Sequence, residues 1–590
     1  MSVRGFFGKL LSVDLSSGSW FTEPLESRVF ENYLGGKGLA TYLLLKRNPE
    51  GVDPLSPDNL IIIALGPFSD SPLQGSCRHG IFSKSPLTRF YAESYSGGRA
   101  ADVISRAGFD ALCISGASNN PVWLWITDEG VRFNDATDLW GLDTFETERR
   151  IKEIIGDDAA VLSIGPAGEN LVLFAVVEND RWRSAGRTGM GALLGSKKIK
   201  ALAFSGKRRR PFYDYDGLAE YAKKSIKDWK DHPAAQAYRN YGTPMMVALL
   251  NSVNGFPTRY WRKGFFDRWQ HISAELLKDH LGARPRACRK CFMACGKFLE
   301  IKEGPYKGLV IEGPEYETIY AFGGLCEIDR LDAIAYLNDL CDRLGMDTIT
   351  AGNLAAFAVE ASYRGKLPFR ITYGDVEGIA NLLRDVAYRR GVGEVLADGI
   401  RRAAREWDME DLAVHVKGLE PAGYDPRVLK GMGLAYAVSD RGACHLRSTF
   451  YKAELAGLIP PDQIEGKVEM FLDFEDRCTL HDCGILCRFY RDFYLWDELA
   501  EIYGMATGLH FDRARLRKIA SSVVDNTRRF NLREGLTAED DSLPKRFFTE
   551  PLENGALITE GEFMRLRDDY YKARGWSKEG IPTSRDPLLD

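Results

Sequence analysis

The sequence has no apolar stretch long enough to span a bilayer. Its longest purely apolar runs resemble Leu60-Ile61-Ile62-Ile63-Ala64-Leu65, the length of a buried strand and far short of the ~20 residues a membrane helix needs. It has no excess of charge of one sign. Over 590 residues, 78 Lys and Arg face 83 Asp and Glu, a net charge of -5 with both signs mixed along the chain, which argues against nucleic acid as the main partner. Met1-Ser2-Val3-Arg4-Gly5-Phe6 starts a strand-like segment and lacks a secretory apolar core. Eleven cysteines, an odd number scattered over the chain, do not form a disulfide framework, so a reducing cytoplasm is the expected compartment. No internal repeat or low-complexity tract stands out. What is present is the composition of a large globular protein, 45% hydrophobic and 27% charged, with length for roughly three or four domains.

Cysteine does concentrate at one place. Cys288, Cys291 and Cys295 form a Cys-x2-Cys-x3-Cys array, flanked by Arg284, Arg286, Arg289, Lys290 and Lys297. Three thiolates this close repel one another unless a cation or an iron–sulfur core binds them, and the cations favour both thiolates and an anionic cluster. Buried free thiols and structural zinc, which usually takes two separated pairs, are the alternatives; the spacing favours a [4Fe–4S] cluster over both. The Cys-x3-Cys-x2-Cys order of radical clusters is the reverse of this one. A fourth ligand must return from elsewhere, and Asp482-Cys483-Gly484-Ile485-Leu486-Cys487 is the candidate stretch.

Residues 1–210 are rich in glycine and β-branched residues and read as an α+β layer without a clean βαβ repeat. Lys9–Leu15 followed by Ser16-Ser17-Gly18-Ser19 reads as a strand and hairpin turn; Val122–Ile126 and Leu171–Val177 are further strands, and Ala100–Ala107 is helical. Glycine-rich loops at Gly35–Gly38, Gly97–Arg99, Gly165–Gly168 and Gly186–Gly191, with Arg78, Arg99 and Arg187 in or near them, suit a polyanionic cofactor collectively, although each alone reads as a turn. Lys207-Arg208-Arg209-Arg210-Pro211 reads as a solvated linker and domain boundary. Beyond it the pattern is helical: Tyr213–Trp229, Leu331–Leu344 capped by Gly345, a helix from Asp347 or Thr348 to about Tyr363, then Val376–Arg389, Val395–Arg405, Lys467–Arg477 and Ala514–Asn531, with Arg565–Arg574 near the end. Residues 418–447, dense in glycine and proline, read as a loop that wraps something.

Several separated stretches resemble one family in its order: Lys84-Ser85-Pro86-Leu87-Thr88, Gly165–Asn170, Gly195–Ala201, the cysteine array, Glu312–Thr318, Asp342–Asp347 and Arg441–His445. The chain resembles the tungsten-containing aldehyde ferredoxin oxidoreductases over nearly its whole length. The resemblance implies an α+β protein with an N-terminal β-rich domain (1–210, pterin-binding) followed by two mostly α-helical domains, 211–417 carrying the cysteine array and 418–590 carrying the fourth cysteine. It implies tungsten, or molybdenum, held by two pyranopterins, a Mg2+ between the pterin phosphates, and a [4Fe–4S] cluster. Carried over by residue, Cys288, Cys291, Cys295 and Cys487 would hold the cluster, ahead of Cys478 and Cys483. Asp342, Gly345, Met346 and Asp347 match one Asp-x-x-Gly-Leu-Asp pterin motif with Met for Leu. Asp482 and Leu486 match the second, where Ile485 fills the glycine position. Arg78, Gly97, Ala185 and Arg187 match contacts to cluster and pterin phosphates; Tyr95 replaces a common asparagine.

The implied reaction is oxidation of an aldehyde to the carboxylic acid, with electrons passed through the cluster to ferredoxin or a small iron–sulfur subunit. Glu317 and His445 match the family's acid–base pair, with Glu315 as a fallback; taken alone, His445 reads as a packed core histidine. The family often works as a homodimer. Two rival readings are the catalytic subunit of a benzoyl-CoA reductase-type tungsten complex and a non-catalytic iron–sulfur electron carrier.

Overall fold

The computed structural model describes residues 3–586 and 588–589. Met1 and Ser2 of the expected N-terminal strand lie outside the described residues; Val3 to Gly8 is irregular and the first strand begins at Lys9.

Residues 9–204 build two six-stranded sheets. The first contains β1 (Lys9–Asp14), β2 (Ser19–Pro24), β3 (Ile61–Ala64), β4 (His79–Lys84), β5 (Tyr91–Ser96) and β6 (Ala111–Ser115) in the order β2-β1-β6-β3-β4-β5. The second contains β7 (Val122–Thr127), β8 (Gly130–Asp135), β9 (Ala160–Ser163), β10 (Val177–Asn179), β11 (Arg183–Ala185) and β12 (Ile199–Phe204) in the order β11-β10-β9-β12-β7-β8. β1 and β6 run parallel, as do β12 and β7, while the other neighbours are antiparallel. The two-residue period of a strand assigns each face its own core. Ile61 and Ile63 pack with Leu124, Leu202 and Phe204 of the second sheet. Ile62 and Ala64 pack with Leu480, Tyr503, Leu516 and Phe530 of the C-terminal helices. Residues some 450 positions apart (480 against 30, for example) thus share one core.

The middle of the chain is helical, and its core gathers Trp261, Tyr320, Phe357 and Tyr436 with the second-sheet loop residues Val172 and Phe174. A small antiparallel sheet interrupts it: β13 (Arg284–Arg286), β14 (Gly296–Glu300) and β15 (Val310–Glu312). Arg286 pairs with Gly296, so the three cysteines sit in the loop joining β13 to β14.

Most expected helices form, with shifted ends. Leu331–Leu344 is capped by Gly345 (φ 78°), and Asp347 caps Thr348–Tyr363 by accepting the Ile349 N–H. Several expectations fail for identifiable reasons. Leu171–Val176 is a turn, with only Val177 entering β10; the Leu173 N–H goes to the Ala397 carbonyl and that of Val172 to Ala167, so tertiary contacts satisfy an apolar run without a ladder. The expected helix 395–405 breaks at Gly399 (φ 81°), where a Cβ would lie 2.5 Å from Leu87. Lys467–Gly484 runs seven residues past the expected Arg477 end (484 − 477). The glycine–proline segment contains the helix Lys430–Val438. In the basic run Arg208 and Arg209 are exposed, but Arg210 is buried, 2.7 Å from Asp110 and 2.9 Å from the Gly5 carbonyl.

Candidate active site

β5 and β11, edge strands of the two sheets, lie side by side, and two helix ends converge on this seam. Leu331–Leu344 ends in the left-handed Gly345; Lys467–Gly484 ends in the left-handed Ile485 (φ 51°, ψ 47°). A β-branched residue there costs roughly 1–2 kcal/mol, so the turn is kept without the glycine expected at that position. Glycines of the β-rich part back both turns. A Cβ on Gly165 would lie 2.4 Å from the Leu344 carbonyl oxygen, one on Gly36 2.3 Å from that of Asp482, and one on Gly66 2.0 Å from that of Gly484. The loops at Gly35–Gly38 and Gly165–Gly168, expected to receive an anion, therefore serve close backbone packing. Lys37 is buried against Glu93 and Asp440, and Arg99 is exposed on a separate groove.

A cavity of about 280 Å³ lies at the seam. Arg78, Arg187, Glu317, Asp342, Met346, Asp347, His445, Asp482 and Leu486 all line it. Gly345 stays in its cap, and Ser184 and Gly186 line the cavity in place of Ala185. Gly97 lines a second cavity of about 290 Å³ together with Cys288, Cys291, Cys295 and Cys487, and also Cys77. Cys478 and Cys483 are buried elsewhere, the first 3.7 Å from the Thr449 hydroxyl and the second in the core under the first sheet. Arg78, Tyr95, Trp182, Ser184 and Glu315 line both cavities, so the two share a wall.

Arginines missed by the sequence reading dominate the first cavity. Arg447 lies 2.6 Å from both Glu93 and Asp482; Arg488 donates to Asp482 as well; Arg441 donates to the Glu93 carbonyl at 2.6 Å and to Cys444 Sγ at 2.9 Å. Burial opposes the charge on Glu93, but Arg447, Lys37 and Arg441 hold its carboxyl well below the usual range. Only membership of the Arg441–His445 stretch singled out any of these in the sequence. Arg187 is committed to structure: its Nε meets Asp347 at 3.0 Å and its Nη groups donate to the Ala443 and Glu420 carbonyls. The glycine–proline segment thus wraps this arginine.

Glu317 Oε2 accepts the Gly423 N–H at 3.0 Å, while Oε1 faces His445 Nε2 at 3.5 Å. Burial pushes the Glu317 carboxyl up to about 8. Burial, followed by Arg187, Arg441 and Arg447, drives His445 well below its ordinary value. Tyr424 stacks on His445, ring centroids 5.6 Å apart. At neutral pH the pair is thus a protonated carboxyl beside a neutral imidazole, able to hold one proton between them.

The thiols have donors of their own. The Gly98 N–H points at Cys288 Sγ (3.2 Å) and Cys291 Sγ lies 3.3 Å from the Tyr490 hydroxyl. Burial and then neighbouring Cys487 push Cys291 up to about 11, and burial pushes Cys295 well up too. Among the described residues no three His, Cys, Asp or Glu side chains gather tightly enough to hold a single ion; the four thiols surround a space.

Comparison with known proteins decides the family. The aldehyde ferredoxin oxidoreductase N-terminal domain matches residues 10–206, and domains 2 and 3 match residues 220–586. This chain belongs to the aldehyde ferredoxin oxidoreductase family. It is 36% identical over 601 aligned residues, covering 98% of each chain, to the tungsten-containing aldehyde ferredoxin oxidoreductase of Thermococcus kodakarensis. It is 28% identical to the aliphatic sulfonate oxidoreductase, WOR-like subunit, of Pyrococcus furiosus, covering 98% of this chain and 95% of that one. The active-site complex BamBC of benzoyl coenzyme A reductase with 1,5-dienoyl-CoA is similar in structure, TM-score 0.83 at 26% identity, over 98% of this chain and 96% of that one. The α+β architecture, β-rich then helical, is that of the family, and the chain is one of its oxidoreductases. No described helix is long and apolar enough to cross a membrane.

The residues fit the family's cofactors. Arg78, Arg441, Arg447 and Arg488 around the first cavity suit a polyanion, and the buried Nε atoms of Arg441 and Arg447 have no protein partner. Four thiols around the second cavity suit an iron–sulfur cluster.

Proposed function

We propose that this chain oxidises an aldehyde to its carboxylic acid with water as oxygen source, releasing two electrons and two protons. One observation carries the reading: the cavity holding Glu317 and His445 shares a wall, through Arg78, with the cavity lined by Cys288, Cys291, Cys295 and Cys487. In this reading those four thiols hold a [4Fe–4S] cluster, and thiols spread around a space suit a cluster better than one zinc ion, whose sulfurs would close to about 2.3 Å. Asp342 and Asp482, at the two turns, would accept N–H groups of the pterins, Met346 and Leu486 would pack against them, and the arginines would hold their phosphates, whose charge a Mg2+ would help to neutralise. Tyr95 adds no free phenol there, because its hydroxyl donates to Glu93 at 2.6 Å. When bound, a tungsten or molybdenum bis-pyranopterin supplies the two-electron acceptor and the cluster the one-electron relay.

The protein's own residues handle water and protons. Glu317, ionised, takes the proton of attacking water at Oε1, the oxygen left free by the Gly423 bond. His445, neutral, offers an N–H to the substrate carbonyl, which stabilises developing negative charge. Burial of both groups excludes competing bulk water. The acceptor in this reading is ferredoxin or a small iron–sulfur subunit.

The test is aldehyde-dependent reduction of viologen by purified protein, with elemental analysis for tungsten, molybdenum and iron. The structural likeness to a benzoyl coenzyme A reductase complex favours one second reading, reduction of an aromatic ring by a larger assembly. Inactivity with every aldehyde in metal-loaded protein selects that reading. Membership of an oxidoreductase family sets aside the non-catalytic carrier.

A further inference from the structure

We propose that Tyr436 is a positioning residue for the Glu317–His445 pair: its hydroxyl holds the Ala422 and Tyr424 carbonyls and so fixes the peptide that presents the Gly423 N–H to Glu317. This rests on the roles given to Glu317 and His445 above and adds what decides which carboxyl oxygen is left free. The carbonyls of residues 420–424 are all occupied from the protein side. That of Glu420 accepts from Arg187 at 2.8 Å, that of Pro421 from the Tyr320 hydroxyl and that of Gly423 from the Tyr316 hydroxyl. The Tyr436 hydroxyl serves two acceptors, 2.9 Å from the Ala422 carbonyl and 3.1 Å from that of Tyr424. Tyr316, Tyr320 and Tyr436 are buried, so no bulk water replaces a bond that one of them loses. Tyr436 comes from the helix Lys430–Val438, while Tyr316 and Tyr320 come from the helical segment 316–324 that carries Glu317 itself. The loop is gripped from both sides.

The peptide plane turns this grip into a function. The Ala422–Gly423 bond is trans, and the C=O and N–H of a trans peptide point in opposite directions. Tyr436 takes the C=O, which leaves the N–H aimed at Glu317 Oε2, 3.0 Å away. The Tyr424 N–H closes a tight turn onto the same Ala422 carbonyl at 2.7 Å, and the second Tyr436 contact, to the Tyr424 carbonyl, keeps that turn shut. Glu317 is thereby held by one oxygen, and its Oε1, with no hydrogen-bond partner, faces His445 Nε2 at 3.5 Å. The next residue of the loop, Tyr424, stacks on the His445 ring, so one loop seats both members of the pair. Gly423 leaves no slack: a Cβ there would lie 2.6 Å from Tyr320 Cγ and 2.8 Å from the Tyr316 hydroxyl. Tyr436 is not among the residues lining the cavity and acts only through the peptide. Its effect has a sign. Burial raises the Glu317 carboxyl, the Gly423 N–H and then Arg187 oppose that rise, and Asp347 and Cys444 add to it. Tyr316, Tyr320, Tyr424 and Tyr436 are kept neutral by burial. Releasing the N–H removes a bond that favours the ionised carboxylate, so the carboxyl rises further.

The test is made on metal-loaded holoenzyme with Tyr436→Phe, and with Tyr503→Phe as control, which deletes a buried hydroxyl donated to the Leu480 carbonyl at 2.8 Å in the C-terminal core. The first readout needs no aldehyde: infrared difference spectra across pH follow the protonated-carboxyl stretch that Glu317→Gln removes. The second is the pH profile of kcat/KM. Tyr436→Phe is expected to move the Glu317 titration and the limb up by about one pH unit, a roughly tenfold loss of kcat/KM near pH 7 that is recovered near pH 10. Tyr503→Phe is expected to lower the thermal midpoint and leave the titration in place, so loss of a buried hydroxyl by itself does not imitate the effect. Folded Tyr436→Phe protein whose Glu317 titrates as in the wild type overturns the proposal. Should that variant not fold, Tyr436→4-aminophenylalanine keeps the ring and a weaker donor: a smaller upward shift supports the proposal and none overturns it. The infrared shift decides the hold on Glu317 whether or not aldehydes are oxidised, whereas inactivity with every aldehyde counts against the reaction alone.

Discussion

Glu317 is a carboxyl held protonated at neutral pH by burial, and the consequences reach both rate and stability. As the base that must be ionised, it makes kcat/KM rise with pH on a limb near its folded value of about 8, with the ionised fraction going from roughly one-tenth to roughly nine-tenths between about pH 7 and about pH 9. Glu317→Gln is expected to remove that limb and to cost roughly 10²–10⁴-fold in rate, measured as aldehyde-dependent viologen reduction across pH. Stability moves the other way. The folded value is raised from 4.5 to about 8, so between those limits the unfolded chain has released a proton that the folded chain retains. Stability then falls as pH rises through that window. Glu317→Gln lacks this loss, so its thermal midpoint is expected to gain on the wild type at pH 8 relative to pH 5. A variant that gains equally at both values would show that burial does not strain this carboxyl.

At the scale of elements, the site is made where two helices stop. Both stop in a left-handed residue, Gly345 in one and Ile485 in the other, and each turn is held by a glycine of the β-rich part at backbone contact. Gly66 is the cleanest probe, because its own φ is ordinary and only the 2.0 Å approach to the Gly484 carbonyl forbids a side chain. Gly66→Ala is expected to push the 482–487 turn away, lowering iron content and destabilising by about 3 kcal/mol or more. Gly561→Ala is the control: a Cβ there meets nothing within 4 Å, inside the helix Glu560–Arg574. That change is expected to be neutral or to stabilise by up to about 1 kcal/mol. Thermal unfolding with iron analysis on both variants separates the close approach from glycine's general flexibility.

At the scale of the molecule, the chain closes on itself. Residues 480–530 complete the core under the first sheet, and this closure carries Cys487 to the loop between β13 and β14. Cys487→Ser is expected to lower bound iron sharply, while Cys483→Ala, four residues earlier (487 − 483) and buried in that core, is expected to keep iron and lose only packing stability of about 1–2 kcal/mol. Equal iron in both variants would remove Cys487 from the cluster.

The sequence alone determined what local chemistry can encode. The Cys-x2-Cys-x3-Cys spacing, the helix Leu331–Leu344 with its Gly345 stop and the Asp347 cap are each written within a few residues, since caps and cluster spacings are short-range demands on the backbone. Ordered motifs also carried the family. What only the tertiary structure decided is which distant groups meet. Nothing near Leu171–Val176 reveals that its amides find partners at Ala397 and Ala167. Nothing near Gly36 or Gly66 distinguishes a glycine that cradles phosphate from one pressed against the 482–484 carbonyls. The charge of Glu93, held by Arg447, Lys37 and Arg441 against its burial, the protonation of Glu317, which burial imposes, and the placing of Cys487 beside the 288–295 loop while Cys478 is buried elsewhere are all properties of the packed molecule.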